Sequence, residues 1–66
     1  MIRTDLLRGK IAEKGYTQKR VAKELGITPK TFYLKMQKKV FRSDEIYKMM
    51  QLLDIKNPLT IFFEKE

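Results

Sequence analysis

The sequence predicts an all-α fold of five short helices. Three observations lead there: apolar residues recur at helical spacing in each segment, glycine or proline marks most segment boundaries, and the 66 residues leave no linker long enough to separate two domains. Residues 1–66 therefore read as a single domain, with 57–66 as a C-terminal tail. A domain this small buries only about 60% of its unfolded surface, so its core is marginal and self-association would help it.

The first helix is predicted from Asp5 to Lys14, capped by Thr4, with Leu7 and Ile11 on its buried face and Gly15 beyond its end. Tyr16 then packs inward. The second runs from Gln18 to Leu25: the Thr17 hydroxyl can accept a free N–H of its first turn, and Val21, Ala22 and Leu25 line its apolar side. Gly26 stops it, because the chain must turn left-handed there and glycine has no Cβ to clash. Ile27 plugs the corner, Thr28 caps the third helix, and Pro29 takes its first position, where a missing N–H is harmless. The third helix continues to Gln37. The small Ala22 allows the two helices to cross closely, so Thr17 to Met36 reads as a helix-turn-helix.

The fourth helix is predicted after Ser43, with Asp44 and Glu45 in its positive first turn. Ile46, Met49, Met50 and Leu53 form its stripe at i, i+3, i+4 and i+7, and Ile46, Met50 and Leu53 are expected to close the domain. Two readings stand for the tail. Asn57 as cap and Pro58 at the first position give a short fifth helix through Ile61, Phe62 and Phe63. "TIFFE" also has strand-like composition, which would give a terminal strand pairing with a second subunit.

Fifteen Lys and Arg against eight Asp and Glu give a net charge of +7 and a pI near 9.9, which suits a polyanionic partner. The charge is unevenly spread: Lys30, Lys35, Lys38, Lys39 and Arg42 crowd into the third helix and the loop after it, while Asp5, Glu13, Asp44, Asp54, Glu64 and Glu66 lie mostly elsewhere. The absence of Cys and His excludes disulfides, thiolate chemistry, zinc-finger ligation and histidine acid/base catalysis. The expectation is a protein that is not an enzyme and uses no cofactor, metal or small-molecule effector. The start "MIRTDLLRGKIAEKG" lacks a signal-peptide core and no apolar run approaches a membrane span, so a cytoplasmic location without membrane contact is expected.

Rotation by about 100° per residue puts Phe32 and Met36 on the inner face of the third helix. Lys30, Leu34 and Gln37 lie opposite, with Tyr33 and Thr31 at the flanks. Such a face suits the major groove of duplex DNA: Lys donates to guanine O6 and N7, Gln pairs with adenine N6 and N7, and Leu touches a thymine methyl. The expected base-reading residues are Pro29, Lys30, Tyr33, Leu34 and Gln37. The expected phosphate contacts are Thr17, Gln18, Lys19, Thr28, Thr31, Lys38, Lys39 and Arg42, with Lys23 and Lys35 left as surface.

The Thr17-Gln18 start, Ala22, the Gly26-Ile27-Thr28 turn and Phe32 resemble the lambda-type phage repressor and Cro proteins, the Xre-like helix-turn-helix family. Within it, the "TFY-K-M" third helix and "IFF" tail are similar to a short phage-regulator branch. The resemblance spans nearly the whole chain and implies a lambda-repressor-like five-helix domain acting as a transcriptional regulator by operator occupancy. It also implies phosphate contact at the start of the second helix and a twofold dimer formed through the C-terminal helices. Because one recognition helix reads only a few base pairs and the tail offers a small interface, the expected target is a pseudo-palindromic operator, with a free protein largely monomeric at low concentration that dimerises on DNA. Leu59, Ile61 and Phe62 are assigned to that interface. A Cro-like protein is expected rather than a full repressor, on the expectation that no cleavage or oligomerisation domain follows. One departure stands out: where many members pair an arginine of the first helix with a glutamate at the end of the third, this chain has Ile11 and Met36, and an apolar contact can replace such a pair without loss of stability. Two other classes use similar material. A helical protein-interaction module, such as an antitoxin or anti-repressor, would use the tail for its partner; a small RNA-binding protein would stack bases on surface aromatics, for which Tyr33 is the candidate.

Overall fold

Four successive helices of this chain finish with one device: a residue of left-handed backbone, followed by an apolar residue whose amide reaches back five positions to close the helix. In the computed structural model, which describes residues 2–63, the helices are α1 (Thr4–Glu13), α2 (Gln18–Leu25), α3 (Pro29–Lys38), α4 (Ser43–Leu52) and α5 (Pro58–Phe62). The left-handed residues are Gly15, Gly26, Lys39 and Asp54. Behind them the amides of Tyr16, Ile27, Val40 and Ile55 donate to the carbonyls of Ile11, Ala22, Lys35 and Met50. No strand occurs among the described residues, so the tail is helical over Pro58–Phe62 and the strand alternative is set aside. Glu64 and Glu66 lie outside the described residues.

The helix starts are less uniform. Thr17 and Thr28 cap α2 and α3 as their positions predict, their hydroxyls accepting the amides of Arg20 and Thr31 at 3.1 and 3.2 Å. Thr4 does not cap α1. It lies inside the helix and is buried, with Arg3 at the cap position. Asn57 makes no side-chain cap on α5. At α4 the cap comes from within: Ser43 is already helical, and the Glu45 carboxylate accepts the Arg42 amide at 2.8 Å. This is half of a capping box, because an arginine side chain has no acceptor to return the bond.

The core is built around Phe32, Leu7, Met49, Leu53 and Val21, all fully buried. Ala22 is fully buried too, and α2 packs most extensively against α3 and next against α4. The α4 stripe is turned toward Met49 and Leu53, leaving Ile46 and Met50 half-buried at its edge. Phe41, in the loop before α4, completes the centre with its ring 5.5 Å from that of Phe32. On the other side α1 packs on α5, and the Arg3 amide donates to the Ile61 carbonyl at 2.7 Å, binding the two ends of the chain together.

That closure corrects one expectation. Ile61 and Phe62, assigned from the sequence to an intersubunit surface, are buried with Ile2 and Ile55 in the core of the single chain. A five-residue helix offers too few turns for its inner face to be read from periodicity, and with so small a core the chain uses both apolar side chains to close α1. The exposed apolar residues of the tail are Leu59 and Phe63.

Lys39 carries a left-handed conformation (φ 60°) that costs a side chain about 1 kcal/mol or more relative to glycine. Lys39→Gly is therefore expected to raise stability by about 1 kcal/mol, after allowing for glycine's greater freedom in the unfolded chain. A higher midpoint in thermal unfolding followed by circular dichroism checks this.

Candidate nucleic-acid interface

Burial of Phe32 and Met36 fixes the rotation of α3, and the opposite face follows from helix geometry. Lys30, Tyr33, Leu34 and Gln37, spaced at i, i+3, i+4 and i+7, all stand in solvent. Tyr33 is 49% and Leu34 46% exposed. This spacing normally marks the stripe a helix buries. Here α3 has two such stripes, one spent on the core and one outward, and from Pro29 to Arg42 the chain contains no acidic residue. Thr31 is half-buried at the flank, its hydroxyl 2.9 Å from that of Thr28.

The starts of α2 and α3 meet at one open cleft, lined among others by Thr17, Lys19, Lys23, Thr28 and Pro29. With Thr17 bonded to the Arg20 amide, the amides of Gln18 and Lys19 have no acceptor inside α2, and that of Lys30 has none inside α3. The cleft thus brings together two positive helix starts and the side chains of Lys19 and Lys23. Lys23, expected to be plain surface, belongs to this group. Its signal in the sequence is its position four residues after Lys19, which puts both on one side of α2.

Ion pairing sharpens the picture. Arg3 pairs with Asp5, Lys10 with Glu13, Lys14 and Lys56 with Asp54, Arg20 with Glu24 and Arg42 with Asp44. A hydrogen bond from the Arg3 guanidinium holds Asp5 at a pKa of about 2, and one from Lys56 lowers that of Asp54, so these acids stay charged and occupy their cations. Lys19, Lys23, Lys30, Lys38 and Lys39 have no acidic partner among the described residues, and of the other described cations only Arg8 and Lys48 share that condition. The unneutralised charge is therefore concentrated on α2, α3 and the end of α3. Arg42 is exposed but lies 3.3 Å from Asp44, so it offers less net charge than its position suggests.

Lys35 departs most from expectation. Instead of lying on the surface it reaches to α4, where its ammonium sits 2.8 Å from both carboxylate oxygens of Glu45, a residue only 4% exposed.

Among known proteins, the family model described as a protein of unknown function, DUF739, matches residues 4–66. The chain belongs to the DUF739 family. Comparison of this DUF739 chain with curated proteins and with solved structures gave no match. Among its described residues no helix is long and apolar enough to cross a membrane.

Proposed function

We propose that this DUF739 chain is a sequence-specific regulator of transcription that binds double-stranded DNA through α2 and α3 as a helix-turn-helix, in the manner of Cro and repressor proteins. The observation that carries this reading is the outward stripe of Lys30, Tyr33, Leu34 and Gln37 on an acid-free helix bordered by unpaired lysines. A helix laid in the major groove needs a few donors and apolar contacts for base edges and cations on either side for phosphates. Lys30 and Gln37 supply the donors, Leu34 and Tyr33 the contact surface. The cleft of Thr17, Lys19, Lys23 and Thr28 receives one stretch of backbone, and Lys38 and Lys39 the other.

One such helix reads only a few base pairs, and the domain's longest extent is 29 Å against about 34 Å for a turn of DNA. In this reading two copies sit side by side with their α3 helices in successive major grooves on one face of the duplex. The reading is accordingly a twofold dimer on a pseudo-palindrome, with Leu59 and Phe63 available for the contact and occupancy of the operator excluding polymerase.

A salt titration on mixed-sequence duplex tests the phosphate half of this proposal. Lys38→Ala and Lys39→Ala should each flatten the slope of log affinity against log salt by about 0.9, and Arg42→Ala by less because Asp44 already screens it. Unchanged slopes for both lysine variants would show that they do not meet phosphates.

A further inference from the structure

Glu45 is the one acidic residue among the described residues that is buried, and nothing in the outward face of α3 requires it. Its carboxylate takes the Lys35 ammonium at 2.8 Å on each oxygen, while one of those oxygens also accepts the Arg42 amide at 2.8 Å. A buried ion pair is weak evidence for stability, since well-packed apolar residues can do as well; what it adds is directional constraint. The constraint here spans two elements. Lys35 lies on α3 between the outward residues Leu34 and Gln37, and Glu45 lies in the first turn of α4, whose next inward residues Met49 and Leu53 are fixed in the core. The two charge-assisted bonds from Lys35 therefore tie the second half of α3 to the start of α4, where the bond from the Arg42 amide holds the same carboxylate in place.

We infer that Lys35 and Glu45 are positioning residues for α3: their ion pair sets the angle of α3 against α4, and with it the pose of the outward stripe, while withholding the Lys35 charge from the basic surface. The inference rests on the DNA-binding reading for its consequence but not for its geometry. A reading face held about 10–20° off its productive pose loses base contacts while keeping phosphate attraction, so the pair should govern specificity more than total affinity.

The double variant Lys35→Met/Glu45→Gln removes the ion pair without stranding a buried charge, and glutamine retains an oxygen for the Arg42 amide. Lys35→Arg keeps the charge and presents two donors to the two carboxylate oxygens. Residual dipolar couplings on the free protein give the α3–α4 angle directly. It should change in the double variant and stay at its wild-type value in Lys35→Arg; an unchanged angle in the folded double variant would overturn the inference, whatever the protein binds. If the double variant does not fold, Glu45→Gln alone, which leaves Lys35 free to enter solvent, decides by the same measurement. On duplex DNA, the ratio of specific to nonspecific affinity should fall about tenfold in the double variant, the size of one lost base-pair contact, and recover in Lys35→Arg. An unchanged ratio with wild-type protein that does bind a specific site would also overturn it. Wild-type protein that binds no duplex at all refutes the DNA-binding reading and leaves the angle to judge the ion pair.

Discussion

Phe32→Ala is expected to unfold most of this domain near room temperature. The Phe32 side chain is fully buried, lies against Phe41 with ring centroids 5.5 Å apart, and forms the face that α3 presents to α2. Removing a buried phenyl ring costs about 3–5 kcal/mol in lost transfer energy and cavity. A chain of this length has a total stability of about 3–10 kcal/mol, so the loss takes up most or all of it. Where the variant remains folded, its thermal midpoint should fall by about 15–30 °C, since one kcal/mol moves the midpoint of so small a domain by several degrees. Circular dichroism melts of wild type and variant measure this, and a shift of only a few degrees would mean that the centre of the core lies elsewhere.

A second large effect separates core from surface in the tail. Ile61→Lys should unfold the chain, because it drives an ammonium into the apolar space shared with Ile2 and Phe62 beside the Arg3–Ile61 backbone bond. Leu59→Lys, at a side chain 68% exposed, should leave the helical signal and the melting midpoint nearly unchanged. If Leu59 belongs to the twofold contact, the same variant loses cooperative binding to a two-half-site duplex while still occupying one half-site at high concentration. Sedimentation, circular dichroism and binding on the two proteins sort the cases. Folded Ile61→Lys protein would contradict the packing of α5 described above.

Which of these features a reader of the sequence can find depends on how local their causes are. The ends of α1 and α2 are legible because glycine stands at the left-handed positions 15 and 26; the equivalent ends at Lys39 and Asp54 carry no such mark. The outward face of α3 is legible because Phe32 and Met36 fix the helix rotation within three turns. Glu45 was hidden, since a glutamate in a first turn is expected to sit in water against the helix dipole, and the charge that offsets its burial comes from Lys35, ten residues earlier. Ile2 and Phe41 were missed for a related reason: each stands alone in a loop or an end, where no periodicity points it inward. The tail was misassigned because the contact that buries Ile61 joins the two ends of the chain, a separation over which sequence spacing says nothing.

The central claim is that the outward face of α3 reads base sequence, and selection of bound sites from a random duplex library tests it most directly. Wild-type protein should enrich a pseudo-palindrome with half-sites about one turn apart, roughly 10 base pairs. Lys30→Ala and Leu34→Ala, both folded, should then each relax the preference at one or two positions per half-site by about 1–3 kcal/mol, leaving the other positions as they were. Wild-type protein that enriches no sequence, or variants that both return the wild-type site unchanged, would contradict it.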